Sequence, residues 1–302
     1  MNAAGLSRRG CLLGAFCPVA GSHLAQGEAA QSGPSCVEIT DAPTLTLSSA
    51  EEERHLIFML LAMALVHAGW GVEHSRPEQL AAYAAVEPGR RFPNYAGHNV
   101  GAVLVDASSG VISFALNRNV ELNSTLEHAE ARATRNAIRI ANAAVGPAGP
   151  ERWSFGALLQ GKRLYATLEP CAQCAGIMDL ANIGAVIYGQ DDPGQRGIVN
   201  VLYNLQRSGP GNAPLPIRAS FTPWWERLAT AYGRFAAEAA QGARTGLTSF
   251  LETVEAYLIY RDAAREFATI EVRDPDNAAA LLGARAFRER WRSHVGEGVA
   301  PI

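Results

Sequence analysis

The chain has 302 residues, 48% hydrophobic and 18% charged, enough to bury a full core in one large domain or two modest ones. Twenty-six Lys and Arg stand against 29 Asp and Glu, a formal net charge of −3, which excludes the strong basic excess of a typical nucleic-acid binder. The five cysteines (Cys11, Cys17, Cys36, Cys171 and Cys174) are too few and too uneven to frame a disulfide-stapled secreted module.

In chain order, "SRRGCLLGAFCPVAGSHLAQGEAA" sets Arg8 and Arg9 before a short apolar run and then small residues at Ala25, Gly27 and Ala29. Residues 1–30 therefore resemble a twin-arginine signal peptide, with export to the periplasm as the expectation. A disordered leader on a cytoplasmic protein is the alternative. Residues 31–48 read as a tether. "LIFMLLAMALV" (56–66) is too short for a membrane span. It follows Ser48 and Ser49 with Glu51 and Glu52 three places on, a capping signature that predicts a buried helix over 49–68. His67, at its end, reads as a satisfied histidine. Residues 73–97 read as irregular with one short helical turn.

"VGAVLV" and "VISFALN", separated by "DASSG", predict a β-hairpin turning at Asp106 to Gly110. A helix is predicted from 127 to 145, with Ser124 as N-cap and Glu127 at the reciprocal position. The Gly/Pro-rich stretch 146–161 reads as an inserted loop. "RLYATLE" is a strand, 170–182 a helix with Pro170 in its first turn, "AVIYG" a strand, 197–207 a short helix, and "IRASF" (217–221) a closing strand. This order predicts an α/β fold, a three-layer α/β/α sandwich around one mixed sheet, over residues 49–221. From 222 to 302 the texture becomes a helical C-terminal extension, with helices at 223–241, 249–272 and 276–294 broken at "DPDN". Arg285, Arg288, Arg290 and Arg292 read as a solvated helix face.

"PCAQC" alone could be a redox pair, a disulfide, buried packing or half of a metal site. A structural four-ligand zinc site needs a second Cys/His pair, and only His128 stands upstream, with Glu130 two places on. One imidazole and two thiolates leave a fourth zinc position open, the mark of a catalytic site. At helical spacing Cys171 and Cys174 share one face of a first turn, where the helix N-terminus favours thiolates. Residues two apart on an ideal helix diverge, so His128 and Glu130 reach one site only where it sits over the start of their helix. A zinc-bound water is acidified there, and Glu130 is placed to take its proton and return it to a leaving amine.

"HAE" (128–130), "TLEPCAQCAG" (167–176) and "AVIYGQDDP" (185–193) together are similar to the cytidine/deoxycytidylate deaminase superfamily, nearest to the branch of tRNA-adenosine deaminases and guanine deaminases. The resemblance runs from residue 50 to residue 220. It implies Zn2+ held by His128, Cys171 and Cys174, with Glu130 as the catalytic proton shuttle. It also implies Asn117 bonding the base and the backbone of Ala129 contacting the substrate. The implied reaction is hydrolytic deamination of a nucleobase, nucleoside or related small amino-heterocycle, with release of ammonia, by a homodimer. The alternative is a nucleic-acid deaminase acting on tRNA adenosine or single-stranded DNA, which the charge balance disfavours. The long 146–161 loop and the extension after 222 depart from the family pattern. Asn200 stands nearest to where guanine deaminases carry an acidic residue.

Overall fold

The computed structural model describes residues 41–145, 157–195, 197–208, 213–239 and 246–295. The leader, most of the tether and residues 146–156 of the inserted loop lie outside the described residues. Residues Ile39–Ile302 form one compact unit.

Helix α1 (Ser49–Ala68) begins as its capping signature requires: Ser48 Oγ accepts from Glu51 N, and the Glu51 carboxylate accepts from Ser48 N. Every residue from Ile57 to Val66 is buried. A helix apolar on all sides cannot face water on any of them, so it has to be packed all round. The sheet covers part of α1, and the C-terminal helices cover the rest. Among the described residues no helix is long and apolar enough to cross a membrane.

The sheet has five strands in the order β2-β1-β3-β4-β5. β1 (Gly101–Val105) pairs antiparallel with both β2 (Val111–Leu116) and β3 (Arg163–Ala166). β3 pairs parallel with β4 (Ala185–Tyr188), and β4 with β5 (Leu215–Arg218). A Cβ on Gly101 would fall 2.6 Å from Val66 of α1, so this position faces α1. Ser113, paired with Leu104, donates to Ala133 O of α3 (Ala129–Val145). Strand side chains alternate, so α1 and α3 lie on opposite faces. The mixed sheet with helices on both sides is the expected α/β sandwich.

The hairpin, β3 and β4, α4 (Ala172–Leu180) and α5 (Ile198–Ser208) stand where the sequence puts them, but several boundaries move. Residues 77–86 form a three-turn helix, α2 (Pro77–Val86), instead of one turn: Pro77 fits the first position, and four alanines follow. α3 starts at Ala129, not 127. Ser124 Oγ closes a local turn onto Leu126 N, and the Glu127 carboxylate is drawn to Arg132 (2.7 Å) and Arg135 (2.5 Å), so neither caps the helix. Pro170 lies one residue before the N-cap of α4, which is Cys171 itself. β5 sits earlier than "IRASF", because Thr222 turns back onto Ala219 O to open α6 (Pro223–Ala239).

The expected 249–272 helix is two: α7 (Leu247–Phe250) and α8 (Val254–Thr269). The link between them is held from outside. Leu251 O accepts from Asn99, and Glu252 O accepts from Gln79 and Tyr83, while Thr253 caps α8 through Ala256 N. A 3-10 turn (Pro275–Asn277) then leads into α9 (Ala278–Val295). Arg285 is not a plain solvated cation. It donates to Ala268 O and Ile270 O and so closes the C-terminal end of α8.

Candidate active site

Because β1 runs antiparallel to both neighbours, the residues before β1, after β2 and after β3 emerge at one end of the sheet. Helices α3 and α4 both begin at that end. His128 O accepts from Arg132 N at 3.0 Å, the first turn's bond, so His128 occupies the N-cap position of α3 and Glu130 its first turn. Cys171 is the N-cap of α4, and Cys174 lies one turn in. Both pairs straddle a helix start, where residues two or three apart can converge and where the helix dipole favours anions.

Cys171 Sγ lies 3.3 Å from His128 Nδ1, Cys174 Sγ 3.7 Å from the same nitrogen, and the two sulfurs are 3.5 Å apart. The ligand atoms of His128, Cys171 and Cys174 all lie within 4.8 Å of one another, and these three residues form the metal-ligating group found among the described residues. Cys174 and Glu130 are buried and His128 is half-buried. The Cys171 thiol is pulled down to about 4 by hydrogen bonds from Cys174 and then His128, and Cys174 is pushed up by its partner thiolate and by burial. The hydrogen bond with Cys171 holds His128 up. Burial pushes the Glu130 carboxyl up to about 7.

The sequence expectations therefore meet at one place. His128, Glu130, Cys171 and Cys174 are brought together, and fully buried Ala129 lies between the first two. Asn117 is buried at the end of β2. Its Oδ1 accepts from Asn119 N at 3.0 Å, and the following residue is joined to the loop before His128 by Arg118 N donating to Glu127 O at 3.0 Å. A Cβ on Gly97 would land 2.6 Å from Asn119 Oδ1 and 2.7 Å from Asn117 Oδ1, so only glycine lets this loop close on the two asparagines. Asn117 and His98 also line a cavity of about 310 Å³ bounded by Arg132, Asn136 and Trp291. Asn200 is elsewhere engaged, accepting from Ala42 N and donating to Asp41.

Sequence reasoning passed over His98, whose imidazole is close enough to His128 for the two to oppose each other's charge. It also passed over Glu169, which is buried and accepts from Asp192 N through Oε2. Polar residues just outside predicted strands were the available signal. Only the strand order shows that "GHN" and "EPC" leave the sheet at the same end.

Residues 75–190 match the family described as the cytidine and deoxycytidylate deaminase zinc-binding region. The tRNA-specific adenosine deaminase of Agrobacterium fabrum is 39% identical over 94 residues, covering 31% of this chain and 53% of that protein. The same enzyme of Aquifex aeolicus is 34% identical over 103 residues, 34% of this chain and 59% of that protein. The chain thus spans little more than half the length of these relatives. Among solved structures, one from a study of A-to-I editing by tRNA:A34 deaminases is 35% identical, covering 47% of this chain and 95% of that one, with a TM-score of 0.29. Guanine deaminase from Bacillus subtilis is 24% identical, covering 43% and 72%, with a TM-score of 0.26. The motif set that the structure holds in one place thus lies within residues 75–190, the stretch that is similar to the cytidine and deoxycytidylate deaminase zinc-binding region.

Proposed function

We propose that this chain is a zinc-dependent hydrolase that deaminates a small amino-substituted nucleobase, nucleoside or related heterocycle. The observation that carries the reading is the spacing of the three donors. Tetrahedral zinc with sulfur at about 2.3 Å and nitrogen at about 2.0 Å requires ligand atoms about 3.5–3.8 Å apart. The separations of 3.3, 3.7 and 3.5 Å among His128, Cys171 and Cys174 fit those edges with little adjustment. Zinc, when bound there, supplies a water acidified toward neutrality and a Lewis acid beside it.

The chain's own groups do the rest. Cys171 and Cys174 bind as thiolates and His128 through Nδ1. Glu130 is buried beside the ligands without joining them, so its carboxylate is free to pass one proton of the water to a ring nitrogen and the second, from the hydroxyl added to the ring carbon, to the departing amine. Asn117 and the backbone of Ala129 orient the heterocycle, a role that rests on the resemblance. The buried walls of the site exclude bulk water.

The cations around the site are mostly neutralised: Arg118 pairs with Glu121, and Arg132 and Arg135 both pair with Glu127. That favours a small uncharged substrate over a polyanion. The relatives named as tRNA-specific adenosine deaminases support a second reading, action on tRNA, which predicts binding that weakens steeply with salt.

The deciding experiment measures ammonia release by zinc-loaded protein across bases, nucleosides, pterins, oligonucleotides and tRNA, with zinc content recorded. The Glu130→Gln variant is expected to keep its zinc and to lose about 10²- to 10⁴-fold in turnover. Undiminished turnover in that variant would remove the assignment of Glu130. Pairing of two copies and export through the leader belong to the same reading. Sedimentation tests the first. N-terminal sequencing of mature protein from an exporting host tests the second, and an intact Met1 would remove it.

A further inference from the structure

Glu127, the residue before His128, is held at both its backbone and its side chain. Its carbonyl accepts from Arg118 N at 3.0 Å, which joins the loop after β2 to the start of α3. Its side chain is only 14% exposed, and one carboxylate oxygen, Oε2, accepts from both Arg132 Nη1 (2.7 Å) and Arg135 Nη2 (2.5 Å). Two guanidinium groups converging on a single oxygen form the arrangement that recognises an oxyanion such as a phosphate. Here the chain supplies the oxyanion itself. Arg132 also has donor capacity left, because its Nε is buried and has no hydrogen-bond partner among the described residues.

This clamp borders the candidate active site. Arg132 N donates to His128 O at 3.0 Å, and Arg132 lines the cavity of about 310 Å³ that Asn117 also lines. Arg118, on the same cavity, is paired with Glu121 at 3.0 Å. An anionic group on a substrate therefore meets arginines that are already occupied, and the Glu127 charge repels it.

We propose that Glu127 is a specificity-determining residue: its carboxylate fills a two-arginine anion clamp beside the site and so favours an uncharged nucleoside over the same nucleoside bearing a 5′-phosphate. This rests on the deaminase reading above and adds the charge selectivity of that site. Occupancy of the clamp is measurable by anion binding alone, without turnover.

The experiment uses full-length, zinc-loaded protein as wild type, Glu127→Gln, Glu127→Ala, and Glu127→Ala combined with Arg135→Gln. Gln keeps the shape and removes the charge, Ala opens the seat, and the double variant takes away half of the clamp. Inorganic phosphate is titrated against each and followed by ³¹P NMR. Binding is expected to tighten about tenfold or more in Glu127→Ala, to weaken with added salt, and to return to the wild-type level in the double variant. Phosphate on the metal itself binds all four alike and is thereby subtracted. For the best nucleoside of the ammonia-release panel and its 5′-monophosphate, kcat/KM is expected to favour the nucleoside in wild type. That preference is expected to fall about tenfold or more in Glu127→Ala, and by a smaller factor in Glu127→Gln. Folded variants whose phosphate binding matches wild type overturn the clamp, and so does a gain that survives the Arg135 change. A wild type that turns over the monophosphate as readily as the nucleoside overturns the selectivity. Absence of turnover by zinc-loaded wild type on every probe overturns the deaminase reading and takes the selectivity with it, leaving the clamp to be decided by the phosphate titration.

Discussion

Three histidines show how one side chain takes different roles in different surroundings. His128 is held up by a neighbouring thiolate at a helix start, whereas His55 is buried against the sheet, its Nδ1 2.9 Å from Tyr165 Oη, and burial pulls it down to about 4. His67, half-buried under Arg90 and Tyr257 at the end of α1, is held lower still by burial and by Arg90. The pH consequence for His55 follows from its sign. Unfolded chains bind its proton below about 6.5 and the folded chain only below about 4, so stability is fully present above the first value and drains away as pH falls between them. His55 accounts for a loss of about 3 kcal/mol across that window. Urea midpoints at pH 7 and pH 4.5 are expected to differ less in His55→Gln than in wild type, and an equal difference would remove His55 as a cause. At Gly97 the limit is steric instead. Gly97→Ala drives a methyl into Asn117 and Asn119 and is expected to destabilise the fold by about 1–3 kcal/mol, with substrate KM raised because both asparagines shift.

Among elements, helix starts carry the chemistry, and their boundaries are the features the sequence shows least clearly. α1 is legible because Ser48 and Glu51 cap each other locally, so no distant residue is needed to place its first turn. α3 carries the same pattern, Ser124 followed by Glu127, yet begins later because Arg132 and Arg135 compete for the Glu127 carboxylate. The outcome still satisfies the chemical requirement, since His128 and Glu130 flank the true start of the helix. α8 is set apart from α7 by the Thr253 cap together with the bonds that hold Leu251 and Glu252 to Asn99, Gln79 and Tyr83. Thr253→Ala removes the acceptor for Ala256 N and is expected to cost about 1 kcal/mol in equilibrium unfolding, with amide exchange quickened in the first turn of α8. Unchanged exchange there would show that the distant bonds alone define the helix.

At the scale of the molecule, α1 joins the motif-bearing sheet to the C-terminal helices. One side packs on β1, β3 and β4 and another on α8 and α9, and Arg54 and Asn277 tie the start of α1 to the 3-10 turn at 2.8 Å. A chain ending at residue 245 leaves the α8 and α9 side of Ile57–Val66 uncovered. Such a truncation is expected to be insoluble or to lose its cooperative thermal transition, and a soluble, cooperatively melting product would show that the extension only decorates the fold. The sequence by itself determined the apolar helix, the hairpin, the helix–strand succession and the motif set of His128, Glu130, Cys171 and Cys174, because capping, periodicity and short motifs act between residues a few positions apart. Only the tertiary structure decided that Asn119 meets His98, 21 residues earlier, and that Asn99 reaches the Leu251 carbonyl, 152 residues further on. Contacts of that range are set by strand order and by which helix buries which face. No local pattern encodes them, and they form only when the whole core closes.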